Sequence, residues 1–406
     1  MTNFLLPRFE SQIVEDIKDG YWLGTFDVNG DGRPDLVASG LELGELVWYE
    51  NPVWQRHSIA TLPQPVAWDY ADIDGDGYTD VIVCHDFGTC PRACKPQDGK
   101  ISWVRNPGAK GTGEGWKVHF IADLMATHRV KIGHFTQTEN LEVLGLPVVG
   151  PGDVHAPCPF TLYPRPADVI NAPKWDGTIV DDSNFHVVHD AIVGKFRKTT
   201  GSYLDSLLVC SAEGVTWLYY NEADASWKRV SLGLGEERTI AGIFRGTGSV
   251  AMGRLGDDLC AYLAASEPFH GPTVAVYVKD AYGALTEVSW HRTVLDVFGE
   301  PNEKGEGPVH QVVTGDFDGD GDDEFLVALR GPAPWEGVFY YKAVDAKQGL
   351  FTKTRVSTLS ASLIAVADFD GDGRLDFATI GYHTPGFFLA GAPKVAVFFN
   401  RFGRLT

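Results

Sequence analysis

Four times the chain sets an acidic, glycine-studded loop between two apolar runs: 27–35 (DVNGDGRPD), 72–80 (DIDGDGYTD), 316–324 (DFDGDGDDE) and 368–376 (DFDGDGRLD). Such a repeat imposes a register, so residues that share a place in each copy share a place in space, even where the loop has decayed. After each loop comes a short apolar run (35–38, 80–84, 325–328, 377–380), then one with aromatic or branched residues (46–49, 101–104, 338–341, 395–398). A last run opens on an aromatic residue and holds an aliphatic one five positions on: Trp54 and Ile59, Trp116 and Ile121, Trp175 and Val180, Trp227 and Leu232, Trp290 and Leu295, Phe351 and Val356. The seventh such pair, Phe9 and Val14, precedes any complete repeat. Four short strands per unit, a period of about fifty residues and a stray N-terminal strand predict an all-β fold, a seven-bladed β-propeller whose last blade that strand completes. Blades are expected at 20–63, 64–125, 126–182, 183–234, 235–297, 306–359 and 360–406 joined with 5–17. No linker composition interrupts the ring, so 1–406 reads as a single domain.

Composition agrees with a chain that buries a sizeable core. It is 44% hydrophobic with 46 glycines and 23 prolines, and no apolar run approaches the roughly 20 residues of a membrane span. The N-terminus has no basic region followed by an apolar stretch, so a cytoplasmic protein is expected. A formal charge of −20 argues against nucleic acid and anionic membranes as partners.

Without a visible secretory signal, the six cysteines are expected to be reduced. Cys84, Cys210 and Cys260 lie in apolar strand runs and read as core residues. Cys90, Cys94 and Cys158, the last three residues after His155, fall in long insertions of adjacent blades. Thiolates plus imidazole at such short spacing suit a structural zinc clip, the alternative being two unrelated loops with free thiols.

The acidic loops invite the same comparison. Oxygen side chains at positions one, three, five and nine, with glycines that let the chain turn tightly, are what a hard divalent cation requires, and they resemble the calcium loops of integrin-type propeller repeats. The candidate structural calcium or magnesium ligands are Asp27, Asn29, Asp31 and Asp35; Asp72, Asp74, Asp76 and Asp80; Asp316, Asp318, Asp320 and Glu324; and Asp368, Asp370, Asp372 and Asp376. The alternative is that Asp-Gly turns satisfy only their own backbone groups.

Six residues before the first loop position, each innermost strand begins and a side chain can face the central channel. The seven positions are Tyr21, Val66, His128, His189, Gly248, His310 and Ser362, and three of them are histidine in a chain with 12. A fourth, His270, sits between the second and third strands of blade five, a connection that opens on the same face. Lone histidines are usually structural, which is the reading for His57, His119 and His291 in outermost strands and for His134 in a turn. Four converging imidazoles (His128, His189, His270 and His310) instead predict a catalytic metal, zinc before copper, nickel or iron, with a position left for water or substrate.

Several stretches also carry a family likeness: 127–135 (THRVKIGHF), 267–271 (EPFHG), 294–299 (VLDVFG) and 310–313 (HQVV), with 253–258 (GRLGDD) between. They resemble the propeller domain of the aldos-2-ulose dehydratases, also called 1,5-anhydro-D-fructose dehydratases. The resemblance implies a zinc on the four histidines and dehydration of a 2-keto sugar. The family enzyme continues into cupin domains credited with a later isomerisation, so only the dehydration step is expected of these residues. In such a sugar the C3 proton is acidic, a metal on the C2 oxygen stabilises the enolate, and loss of the C4 hydroxyl gives an enone. A base and an acid are needed. The loops of that face offer His85, Tyr382 and Asp190 as catalytic groups, with His85 and Tyr382 the preferred proton carriers. Tyr21, Trp22, Trp68, Arg129 and His383 are candidates to hold the sugar. The expected partner is this small sugar, and a second copy of the chain is a candidate partner in a homodimer. Two other classes fit less well. A propeller-fold polysaccharide lyase acting on uronates would want more cationic residues than Arg129 and Lys131 near the ligand register. A non-catalytic carbohydrate-binding or adhesion module leaves the four histidines idle.

Overall fold

The computed structural model describes residues 6–403 apart from 92, 109–114, 197–201, 241–243, 282–284, 287 and 386. Among the described residues it contains seven four-stranded antiparallel sheets, arranged as the blades of a propeller. Their innermost strands are Trp22–Phe26, Ala67–Ala71, Thr127–Gly133, Asp190–Gly194, Ser249–Leu255, Val309–Gly315 and Leu363–Ala367. The N-terminal strand Phe9–Asp16 pairs with Lys394–Asn400, from Phe9 opposite Asn400 to Asp16 opposite Lys394, as the outermost strand of the seventh blade. Closure of the ring thus joins the two ends of the chain, as expected from the stray aromatic pair.

Burial follows position within the blade. The second strands Asp35–Ser39, Asp80–His85, Glu142–Pro147, Ser206–Ser211, Glu324–Leu329 and Asp376–Ile380 are buried at every residue, because neighbouring blades cover both faces. That is why they read as continuous apolar runs rather than alternating ones. Outermost strands such as Trp290–Val297 are largely wet.

The acidic loops tie blade to blade. Their ninth residue points inward: Asp80 accepts the backbone N–H of Ile73 at 3.0 Å and of Asn106 at 2.7 Å. Asn106 in turn donates through its side chain to Val28 O of blade one at 2.9 Å and to Thr79 O at 3.0 Å. Asn51 makes the same bridge from blade one to Phe369 O of blade seven, and Asn400 from blade seven to Phe317 O of blade six. Asn106→Ala strips one buried carbonyl of an N–H donor in each of two blades, so it is expected to lower stability by about 2 kcal/mol, read from the shift in denaturant midpoint.

The cysteines depart from expectation. Cys90 and Cys94 are joined in a disulfide, so they are not reduced and hold no zinc. Cys158 is a free thiol buried against Phe160 and Phe185, whereas His155 is exposed. No zinc clip forms, because the hydrophobic core, not a cation, takes up Cys158. Cys84 and Cys210 are buried and Cys260 half-buried. No helix among the described residues is long and apolar enough to cross a membrane.

Candidate active site

At one mouth of the bore the registered positions converge. His189 and His310 stand at the entry to the inner strands of blades four and six. Blade five has Gly248 at that position, where a Cβ would lie 2.9 Å from Pro268 O. The missing side chain makes room for the loop around 268–271, which brings in His270 with its backbone in the left-handed region (φ 46°). A non-glycine residue held there is strained, a pattern found where function requires a fixed geometry.

The ring centroids of His189, His270 and His310 are 4.6 to 5.4 Å apart, and one nitrogen from each lies within 4.8 Å of the others. All three are at least 97% buried. His189 Nδ1 sits 2.6 Å from Gly248 O, His310 Nδ1 2.7 Å from Ser362 O, and His270 Nδ1 2.8 Å from Glu306 Oε2. An oxygen acceptor at each Nδ1 requires the proton there and leaves the Nε2 lone pair bare. The three Nε2 atoms are buried with no hydrogen-bond partner. Burial, first among the causes, pushes His189 and His270 well below the usual imidazole range and His310 down to about 3, with the nearby arginines adding to it. Three neutral imidazoles aiming unpaired Nε2 atoms at one spot are a donor set that fits zinc.

His128 adjoins this triad, its ring 5.4 Å from that of His189, but is not one of the three clustered ligands. Its Nε2 lies 3.2 Å from the Tyr21 hydroxyl, and Arg129 Nη1 reaches both ring nitrogens at 3.0 and 3.1 Å. The structure therefore groups three of the four predicted imidazoles. A small cavity of about 20 Å³ lies beside His270, with Tyr21, His128, His270, Tyr382 and Thr384 as its polar wall and Leu41, Val66, Phe87, Val148, Phe269 and Phe387 as its apolar one.

Of the other predicted residues, Tyr382 lines the cavity, 5.3 Å from the His310 ring and 5.8 Å from Tyr21. Burial raises its pKa, so the hydroxyl keeps its proton at neutral pH. His85 is turned into its own blade, where Nε2 meets Ser102 Oγ at 2.9 Å, and it does not line the cavity. Asp190 accepts from Ser249 Oγ at 3.0 Å and lies 3.5 Å from Arg129 Nε, so it serves as the counter-ion of a buried arginine. Arg129 stacks its guanidinium 4.4 Å above Trp22, which takes both residues out of the cavity wall. Trp68 packs between blades one and two against Gly24 and Phe26. His383 faces away because a strand alternates its side chains, and its neighbours Tyr382 and Thr384 take the cavity side.

Two residues were missed. Arg330 binds Glu306 at 2.5 Å, lies over the Tyr382 ring at 4.9 Å, and bonds Gly307 O at 3.1 Å. It sits six residues past the ninth loop position, the same offset that selects Tyr382 in blade seven, so the register could have found it. Glu306 lies between blades five and six, outside any repeat, and nothing in the sequence marks it.

The acidic loops lie on the opposite face. Three of them gather carboxylate oxygens within 4.8 Å: Asp72, Asp74 and Asp80; Asp316, Asp318 and Asp320; Asp368, Asp370 and Asp376. Each also has a cation of the chain beside it. Arg105 meets Asp74 at 2.5 Å, Arg401 meets Asp370 at 2.8 Å, and Lys342 reaches Asp318, Asp320 and Glu324 at 2.6, 2.7 and 2.9 Å. In the first loop the Asp27 carboxylate takes up the backbone N–H groups of Gly30, Asp31 and Gly32, Asn29 and Asp31 accept within the loop, and Asp35 accepts from Val28 and Asn51.

A family model described as aldos-2-ulose dehydratase, beta-propeller domain, matches residues 98–280, and one described as an FG-GAP-like repeat matches 27–83 and 316–379, spans that hold all four acidic loops. The aldos-2-ulose dehydratase of Phanerodontia chrysosporium is 36% identical over 422 residues, an alignment covering 97% of this chain and 46% of that protein. The chain thus spans about half the length of this curated relative. Crystal structures of BBS1N in complex with ARL6DN, soaked with mercury and with lead, match with TM-scores of 0.54 and 0.52 at 12% identity, covering 97% of this chain and 96% of that one, a likeness of fold alone. With that identity carried along nearly its whole length, the chain belongs to the family of aldos-2-ulose dehydratase β-propeller domains.

Proposed function

We propose that the protein is a sugar dehydratase that eliminates water from a 2-keto sugar such as 1,5-anhydro-D-fructose or glucosone, with zinc held by His189, His270 and His310. The observation that carries this reading is the set of three buried Nε2 atoms without hydrogen-bond partners. When bound, zinc supplies Lewis-acid polarisation of the C2 carbonyl. In this reading His128 accepts the C3 proton at Nε2 once the sugar displaces the Tyr21 hydroxyl from that nitrogen, in place of His85, which is turned to Ser102. Tyr382 retains its proton and donates it as the C4–O bond breaks, so the hydroxyl leaves as water and an enone remains. The apolar wall excludes bulk water from the bound sugar.

A uronate would need a free cation for its carboxylate. Arg129 and Arg330, the arginines that adjoin the triad and Tyr382, are already engaged by Asp190 and by Glu306, which favours a neutral sugar. Calcium or magnesium in the loops of blades two, six and seven would be a structural addition on the far face. Incubation with 1,5-anhydro-D-fructose is expected to produce ultraviolet absorbance of an enone in proportion to bound zinc. A chain with stoichiometric zinc that forms no enone from any 2-keto sugar would end this reading.

A further inference from the structure

We infer that Glu306 and Arg330 form a charge-compensated support behind His270, one that sets how tightly the three-histidine site holds its metal while keeping that site positive; the inference rests on the metal-site reading above. The three histidines are not held alike. His189 and His310 stand at the heads of inner strands, and each offers Nδ1 to the backbone carbonyl at the same position of the next blade. His270 comes from a loop and has no such carbonyl, so its Nδ1 meets the Glu306 carboxylate at 2.8 Å. Arg330 Nη1 lies farther from His270 Nδ1, at 3.3 Å, than the carboxylate does. A carboxylate behind a ligating imidazole fixes its tautomer and raises its basicity more than a carbonyl does.

By itself such a carboxylate would bring a full negative charge beside the site. Arg330 cancels it at 2.5 Å, and the two side chains are only 1% and 3% exposed, so little solvent screens either. The guanidinium also bonds Gly307 O, and Asn302 Oδ1 accepts the Glu306 N–H at 3.0 Å, which anchors the segment that carries the carboxylate. Neutral imidazoles with a balanced ion pair behind them leave a bound divalent cation its whole charge. Glu306 is thus a positioning residue for His270, and Arg330 preserves the positive field that the reaction needs. The two should fail in opposite directions.

Zinc affinity of the full chain can be measured by competition with a chromophoric chelator, with the unfolding midpoint followed separately in excess EDTA. Glu306→Ala is expected to weaken zinc binding about 10- to 100-fold. Glu306→Gln, which keeps an oxygen for the His270 N–H, is expected to lose less. Arg330→Met is expected to bind zinc at least as tightly as the parent chain while turning over substrate more slowly. Where a single variant fails to fold, Glu306→Gln/Arg330→Met buries no charge and carries the test, with zinc affinity expected about tenfold below the parent. Parental affinity in folded Glu306 variants, or a loss in Arg330→Met equal to that of Glu306→Ala, would overturn the inference and leave the metal site standing. A parent chain that binds no stoichiometric zinc overturns both.

Discussion

His310→Ala is expected to lose zinc and, with it, about a thousandfold or more of dehydration rate, the equivalent of about 4 kcal/mol of transition-state stabilisation. The size of the effect follows from how little else could hold the ion. His310 supplies one of three buried Nε2 atoms, its Nδ1 is fixed on Ser362 O, and its ring lies within 5.4 Å of both partner rings. Removing it leaves two imidazoles of the triad, while the Glu306 carboxylate is turned to Nδ1 of His270 and the His128 ring to Tyr21 and Arg129. Metal analysis of the purified variant should fall from one zinc per chain to a small fraction, while the blades stay folded because His310 contributes no strand pairing through its side chain. Full zinc occupancy and full activity in His310→Ala would show that the site is misplaced.

Tyr382→Phe is expected to separate chemistry from metal binding. Loss of a positioned proton donor typically costs about 10²- to 10⁴-fold in rate. The phenyl ring should still pack against Arg330 and Phe388, so the wall and the zinc content are expected to be unchanged. A fall in kcat with intact zinc identifies the hydroxyl as the acid. Equal loss of zinc and rate would instead make Tyr382 part of the metal's support, and unchanged kcat would remove it from the reaction.

The two predictions differ in how far their residues could be read beforehand. The blades were legible because each acidic loop carries two glycines in the left-handed region at the same places, Gly30 and Gly32 in the first and Gly371 and Gly373 in the last. A turn with that backbone tolerates few other residues, so it survives as a visible mark. The register laid out by those turns leads to His189, His310 and Tyr382, and the offset of Tyr382 also points to Arg330. It could not reach Glu306, whose segment belongs to no repeat.

Side-chain direction was less legible than position. His85 follows an apolar strand on the correct face, yet a single step along the pleat turns it to Ser102. His128 holds the same register place as His189, but its ring is taken by Tyr21 and Arg129. Trp22 and Trp68, candidates by position to hold the sugar, fill seams, one beneath a guanidinium and one between blades. Cys90 and Cys94 pair with each other, and Cys158 goes to the core.

Sequence alone therefore determined the number of blades, the closing strand and the end of the bore where the histidines gather, because turns and apolar runs are local and repeat. Tertiary structure decided which imidazoles meet, which are diverted and what stands behind them. Those choices depend on partners from other blades, hundreds of residues away along the chain in the case of Tyr21 and Ser362, and no local pattern records them.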